Sequence, residues 1–145
     1  MDYLPITIKI VSANILIVGG GKVATHKAQI LARFTDQATV VAPEITDELK
    51  ALPFQTKEKA FEPSDLDGVQ LLFVCTGDHE LNHQIKLLAA ERHILTSVCD
   101  DPAQCDFHLA RHLSQRQPHH CRGKRFEGCE TKHPSKKQNK RVDRK

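Results

Sequence analysis

The stretch Ile15-Leu16-Ile17-Val18-Gly19-Gly20-Gly21-Lys22-Val23-Ala24 decides the fold. Four successive aliphatic residues are typical of a buried parallel strand. The three glycines predict a tight turn, and the composition of residues 23–34 predicts a helix. The turn fits G-x-G-x-x-A, a pattern in which glycine lets a pyrophosphate approach the backbone and the helix amides attract it. We therefore expect nucleotide binding at Gly19, Gly20 and Gly21; the alternative is a tight turn that binds nothing.

The rest of residues 1–107 alternates between apolar runs and segments with helical spacing. The apolar runs predict strands at residues 14–18, 38–42, 69–75 and 94–98, with a weaker strand at 54–58. The helical segments are residues 23–34, 44–51 and 79–92, with one helical turn at 63–66. This alternation predicts an α/β fold, a Rossmann-like doubly wound parallel sheet. A further extended piece, residues 6–11, is expected at an edge of the sheet.

Charge divides the 145-residue chain into two parts. Residues 1–107 contain 9 Lys and Arg against 15 Asp and Glu, whereas residues 108–145 contain 12 against 3. Because the second part has few apolar side chains, we expect a basic, disordered tail, with a short helix near 109–116 as its exception. The tail has one aromatic residue, Phe126, and no folded motif, so any nucleic-acid binding should be non-specific.

Apolar patterning and cysteine usage predict a cytoplasmic protein. No run of about 18 apolar residues is present, so no membrane span is expected. The first residues lack the features of a secretory signal. In the cytoplasm all five cysteines should be reduced thiols, namely Cys75, Cys99, Cys105, Cys121 and Cys129. Their spacing with histidine matches no zinc signature, so we expect no bound metal.

Residues that follow the second and fourth predicted strands are candidate cofactor contacts. Ligands of open α/β sheets bind at the carboxyl ends of the strands. Pro43 and Glu44 follow the second strand, but Glu44 stands two residues later than the usual ribose-binding acid and could instead begin a helix. Thr76 and Gly77 follow the fourth strand and could line the nucleotide cleft. Asp78 fits the cleft or the N-cap of the next helix.

Two adjacent carboxylates follow the fifth predicted strand. Asp100 and Asp101 at a strand's carboxyl end predict a general-base site. The alternative is an Asp-Pro turn. That alternative suits Asp101, which directly precedes Pro102, better than Asp100.

The ordered set of short motifs resembles a known family. The chain is similar to the bifunctional precorrin-2 dehydrogenase/sirohydrochlorin ferrochelatases, the N-terminal module of sirohaem synthase. The resemblance covers about the first 108 residues. It rests on Leu4-Pro5-Ile6, the glycine turn through Ala24 with Lys27-Ala28, Thr39-Val40-Val41-Ala42-Pro43, Phe61-Glu62-Pro63, Asp65-Leu66-Asp67-Gly68, Thr76-Gly77-Asp78 with Leu81-Asn82, and Val98-Cys99-Asp100-Asp101-Pro102 with Cys105-Asp106-Phe107.

The resemblance implies a cofactor, substrates and site residues. It implies oxidation of precorrin-2 to sirohydrochlorin with NAD⁺, insertion of Fe²⁺ as a second reaction, and a homodimer. Lys22 and Val23, together with Pro43 and Glu44, fall on NAD-contacting positions. Asp100 falls on the carboxylate that the family uses in both reactions. A non-catalytic nucleotide-binding module, which would not need Asp100, is the alternative function.

The chain departs from the family after His108. The family continues with a strand of the pattern G-x-L-T-I-A-V and with segments that make the dimer and much of the tetrapyrrole cleft. Residues 114–125, SQRQPHHCRGKR, have a permitted codon set that reads ASGNLTIAVGN one nucleotide later. We therefore hypothesise that the tail is a frameshifted product, which leaves the dimer compromised and the dehydrogenase activity weak or absent. Within the matched part, Gly77 stands where the family commonly has Asp.

Overall fold

A five-stranded parallel sheet organises the computed structural model, which describes residues 4–109. The strand order is β3-β2-β1-β4-β5, and every neighbouring pair is parallel. The strands are β1 (Ile15–Val18), β2 (Ala38–Ala42), β3 (Gln55–Glu58), β4 (Leu71–Val74) and β5 (Leu95–Val98). The predicted tail, apart from residues 108 and 109, lies outside the described residues, as does most of the helix expected near 109–116.

Helices cover both faces of the sheet. Successive side chains of a strand point to opposite faces, so a run of apolar residues places apolar side chains on both faces, and both need to be covered. The helices are α1 (Lys22–Leu31), α2 (Asp47–Lys50) and α3 (His79–Glu91), with 3-10 turns at Pro63–Leu66 and Pro102–Gln104. Ile15 and Ile17 pack in one core with the buried residues of α1 and α2. Leu16 and Val18 pack in the other core with Ile85 of α3. The prediction of a Rossmann-like doubly wound sheet is therefore confirmed.

Two predicted elements differ from the structure. Residues 6–11 form no strand; instead the Ala13 amide donates to the Ile10 carbonyl, and Ser12 takes a φ of 66°, so the chain turns before β1. Helix α2 begins at Asp47 after the N-cap Thr46, later than the predicted start at residue 44. Glu44 therefore does not begin a helix; it stands two residues before the N-cap of α2.

The two edge strands of the sheet have different surroundings. All four residues of β3 are exposed, and Glu58 pairs with Lys50 at 2.7 Å. The outer edge of β5 is covered by the chain that follows it. The Thr96 amide donates to the Asp106 carboxylate at 2.9 Å, and the Asp106 amide donates to the Thr96 carbonyl at 2.8 Å. Residues 105–107 thus run along β5 in place of a sixth strand.

Candidate functional site

A crevice opens at the carboxyl ends of the strands, where β1 lies between β2 and β4. The chain leaves β1 toward one side of the sheet and later returns to the other side, which makes this the topological switch point, the usual ligand site of such sheets. A cavity of about 520 Å³ lies there. The predicted cofactor residues that line it are Gly19, Gly20, Gly21, Pro43, Glu44, Thr76 and Gly77.

Two apolar side chains complete the crevice although the sequence did not mark them as site residues. Phe61 and Leu81 line the same cavity and come from segments on either side of β4. Both sit within motifs that carried the resemblance, which was the available signal. A second groove of about 640 Å³ lies at the amino ends of β1 and β2, beside Ile15 and Ala38. The carboxyl-end crevice is the candidate site because the helix N-termini and the glycine turn face that end.

The first two glycines of the turn are required by close backbone contacts. A Cβ on Gly19 would lie 2.3 Å from the Cys75 carbonyl oxygen, and the φ of this glycine is +130°. A Cβ on Gly20 would lie 1.9 Å from the Glu44 carbonyl oxygen. The Gly20 carbonyl also accepts a hydrogen bond of 3.0 Å from the Thr46 amide. These contacts bind the glycine turn to the loops after β2 and β4, so both walls of the crevice are held by backbone.

Gly21 serves a different purpose, because space beside it is open. A Cβ built on Gly21 meets no atom within 4 Å, and this glycine lines the cavity. It is also the N-cap of α1, where no side chain caps the helix and no acidic residue occupies the first turn. Lys22 and Val23 begin the helix but do not line the cavity. The uncapped amides and the open space together fit a dinucleotide pyrophosphate.

Asp100 is connected to the crevice through two side chains. Its Oδ2 atom accepts a hydrogen bond of 3.0 Å from Asn82 Nδ2 and lies 2.6 Å from His79 Nδ1. Asn82 is buried, and its Oδ1 atom accepts a hydrogen bond from the Thr76 hydroxyl, which belongs to a cavity-lining residue. Asp100 itself does not line the cavity. The structure thus places Asp100, the predicted base, next to the crevice that holds the predicted cofactor residues, but not in the lining of that crevice.

Asn82 and His79 are members of the site that the sequence reading did not single out. Asn82 stands four residues after the helix N-cap, a spacing that places it over the first turn of α3 on the face near the cap. That spacing was the signal that could have identified it. His79 is the first residue of α3 and had no comparable signal.

The two remaining acids of the region have local structural roles. Asp78 caps α3, its carboxylate accepting from the Glu80 amide at 3.0 Å and the Leu81 amide at 3.2 Å. Asp101 accepts from the Ala103 amide at 3.0 Å. The Gln104 side chain, and after it the Ala103 amide, hold the pKa of Asp101 below its usual value. The N-cap alternative for Asp78 and the Asp-Pro-turn alternative for Asp101 are therefore confirmed.

The cysteine prediction is wrong for one pair. Cys75 and Cys99 follow the adjacent strands β4 and β5, and their sulfur atoms form a disulfide. Adjacent parallel strands place residues at matching positions close together, and here the Cα atoms are 5.2 Å apart. Cys105 is free and buried, while the two cysteines of the tail lie outside residues 4–109. Within residues 4–109 no three potential metal ligands cluster.

Comparison with known proteins identifies the family. Residues 6–111 match the family described as "Putative NAD(P)-binding". The chain belongs to this family. Membership agrees with the nucleotide binding predicted from the glycine turn and with the NAD⁺ cofactor that the resemblance implies. Among the residues that the structure describes, no helix is long and apolar enough to cross a membrane.

Among the proteins similar in sequence to this chain are siroheme synthases. The protein from Photorhabdus laumondii is 41% identical over 111 residues, covering 74% of this chain and 24% of the relative. The one from Pseudomonas entomophila is 38% identical over 109 residues, covering 72% and 24%. A solved structure, "SirC, precorrin-2 dehydrogenase", shares the fold with a TM-score of 0.65 at 22% identity, covering 74% of this chain and 54% of the other.

These comparisons confirm the resemblance to sirohaem synthase and its extent. The chain spans about a quarter of the length of the siroheme synthases and about half of the solved dehydrogenase chain. The matched region ends at residue 111, close to residue 108, where the motifs that this chain shares with the family also end.

Proposed function

We propose that this chain binds NAD⁺ beside Gly21 and provides the nucleotide site and the base of a precorrin-2 dehydrogenase. The observation that carries the proposal is the hydrogen-bonded link from Asp100 through Asn82 to Thr76, which lines the same crevice as the glycine turn. A hydride acceptor and a proton acceptor have to reach one substrate together. The name of the solved structure that shares the fold, a precorrin-2 dehydrogenase, supports precorrin-2 as that substrate, and the siroheme synthases among the relatives agree with it.

The residues of the chain divide the work between binding and proton transfer. NAD⁺, when bound, supplies the hydride acceptor. The amides of Lys22 and Val23 would hold its pyrophosphate, Pro43 and Glu44 would contact it from the loop after β2, and Thr76 and Gly77 would form the opposite wall. Asp100 would accept the proton that precorrin-2 loses as hydride leaves. The same carboxylate could accept pyrrole protons when Fe²⁺, as a substrate, enters sirohydrochlorin.

The setting and the assembly of the protein are further parts of the proposal. We propose that it works in the cytoplasm, as a biosynthetic enzyme related to the siroheme synthases. We also propose that it assembles as a homodimer, and that this dimer is weakened because the match to the family ends at residue 111. We therefore expect the chain to bind NAD⁺ but to turn over precorrin-2 slowly.

Titration calorimetry of the full chain with NAD⁺ and, separately, NADP⁺ tests the nucleotide site. Absorbance of sirohydrochlorin formed from precorrin-2 and NAD⁺ tests the chemistry. We expect Asp100→Asn to keep NAD⁺ affinity and to lose turnover, because the amide cannot accept the proton. Asp101→Asn is the matched control, since it removes a neighbouring negative charge while the asparagine side chain can still accept the hydrogen bond from the Ala103 amide and preserve the turn.

Two results would separate the candidate functions. Absence of heat with either dinucleotide would refute nucleotide binding and with it the whole proposal. NAD⁺ binding without any sirohydrochlorin from the native chain, unaltered by Asp100→Asn, would favour the non-catalytic nucleotide-binding module.

A further inference from the structure

The Asp100 carboxylate is held unevenly. Both of its side-chain partners, Asn82 Nδ2 at 3.0 Å and His79 Nδ1 at 2.6 Å, contact the same atom, Oδ2. Among residues 4–109, Oδ1 accepts no hydrogen bond from protein. An ionised carboxylate has only acceptors, so in that state of Asp100 the donor of this contact is His79 Nδ1–H. One oxygen is thus fixed by protein, and the other is left for a substrate.

The two partners differ in what they can contribute. Asn82 is buried and cannot change its charge; its amide group is fixed by the Thr76 hydroxyl on one side and by the Thr76 carbonyl at 3.2 Å on the other. The His79 side chain is 82% exposed, whereas that of Asp100 is 26% exposed. The second ring nitrogen of His79 can therefore exchange a proton with solvent while Nδ1 stays on the carboxylate. Histidine is the side chain whose charge ordinarily changes near physiological pH.

On the basis of the proposed function, we propose that His79 is a positioning residue for the Asp100 base. Its Nδ1–H group holds Oδ2, directs Oδ1 toward the substrate, and makes the proton affinity of the carboxylate depend on the charge of the imidazole. When the imidazole is neutral, the carboxylate is the stronger base. When the imidazole is charged, the cation stabilises the ionised carboxylate and weakens its hold on a proton.

Proton and electron counts remain balanced in this scheme. Precorrin-2 gives up two electrons and one hydrogen nucleus as hydride to the nicotinamide, and one proton to Asp100. The new O–H bond forms at Oδ1 as the substrate's bond to that hydrogen breaks, and its electron pair stays in the tetrapyrrole. His79 transfers nothing in this step; it acts only through the hydrogen bond to Oδ2.

Other charged groups surround the pair. From the loop after β5, Asp101 carries a pKa lowered chiefly by Gln104 and in smaller part by the charge of His79. On α3, Asp78 precedes His79 and Glu80 follows it. The test therefore has to isolate the contact between His79 and Asp100 from these neighbouring charges.

Two substitutions of His79 separate the effect of its hydrogen bond to Asp100 from the effect of the charge on its imidazole. His79→Ala removes both the hydrogen bond and the titrating group, and should lower kcat about tenfold or more because the carboxylate loses its orientation. His79→Asn keeps an N–H donor near the place of Nδ1 but cannot be charged. It should restore most of kcat while removing one inflection from the pH profile. A residue with only a structural role would leave the pH profile unchanged in both variants.

The ¹⁵N chemical shifts of the His79 ring, recorded on the full chain without substrate, give a readout that needs no turnover. We expect a protonated Nδ1 in the native chain across neutral pH and a shift toward the Nε2–H tautomer in Asp100→Asn, where no charge selects Nδ1–H. Identical shifts in the two proteins would overturn the inference. So would native kcat and an unaltered pH profile in His79→Ala. If calorimetry shows no NAD⁺ binding by the native chain, the proposed function fails instead.

Discussion

Two neighbouring glycines of the nucleotide turn should respond to the same substitution in opposite ways. In Gly20→Ala the new methyl group would lie 1.9 Å from the Glu44 carbonyl oxygen and 2.9 Å from the Cα atom of Ile45. Both contacts are with backbone, so no side chain can rotate away. In Gly21→Ala the methyl group meets nothing within 4 Å, and the φ of −88° is one that alanine adopts readily.

The structure gives a magnitude for each change. Gly20→Ala forces the loop after β2 to move, which costs about 1–3 kcal/mol in overpacking. The hydrogen bond from Thr46 to Gly20 is lost as well, for about 1 kcal/mol, so the free energy of unfolding should fall by roughly 2–4 kcal/mol. Gly21→Ala gains about 0.4–1 kcal/mol from the unfolded chain and loses a few tenths at the N-cap. Its free energy of unfolding should stay within about 1 kcal/mol of the native value.

Affinity should follow the opposite order to stability. The Gly21→Ala methyl group occupies the space next to the α1 amides, so NAD⁺ should bind at least about tenfold more weakly, which is about 1.4 kcal/mol. Urea unfolding followed by circular dichroism gives the stability of both variants, and calorimetry gives the affinity. The reasoning is refuted if Gly20→Ala is as stable as the native chain, or if Gly21→Ala folds normally and binds NAD⁺ with the native Kd.

Two further predictions concern stability. Asp78→Ala should lower the free energy of unfolding by about 1 kcal/mol by removing the cap of α3, whereas Asp78→Asn should change it by only a few tenths in urea unfolding; equal losses would contradict the capping role. Burial acts to raise the pKa of Asp65, but the Glu62 amide at 2.9 Å and Lys59 at 3.0 Å outweigh it and hold that pKa below 3.8. A carboxyl group whose pKa is lowered by folding stabilises the folded state at pH values above its ordinary pKa. Asp65→Asn should therefore lower the free energy of unfolding by about 1–2 kcal/mol at pH 7. That difference in the free energy of unfolding should shrink as the pH falls below about 4 and disappear once the pH is below the lowered pKa of Asp65; a difference that did not shrink on acidification would contradict the reasoning.

The sequence predicted the fold well because its strongest signals are local. Most residues of the apolar runs that became β1, β2, β4 and β5 are buried, so hydrophobicity alone marks these strands. Strand β3 was also found although its residues are all exposed. Residues 6–11 look like a strand, but pairing with a neighbour decides whether an extended segment joins a sheet, and a single sequence does not contain that information.

Those residues of the candidate site that are marked by local sequence signals were predicted, and those that depend on contacts between distant segments were not. Gly21 and Asp100 stand at strand ends, where their place in the fold follows from the strand itself. The partners of Asp100 could not be predicted, because Asn82 and His79 reach it from 18 and 21 residues away through the packing of α3 on β5. The pairing of Cys75 with Cys99 has the same origin: it needs the neighbouring positions of β4 and β5, which only the strand order reveals.

The margins of the sheet bear on the solubility of this domain. An unpaired strand offers a ladder of donors and acceptors on which a second molecule can build a fibril. On the edge formed by β3, an incoming strand would bring its side chains against the charged side chains of Lys57 and Glu58, which is unfavourable for pairing. On the other, Asp106 already satisfies both backbone groups of Thr96. The fold thus discourages cross-β aggregation by two unrelated devices, charge on one flank and self-coverage on the other.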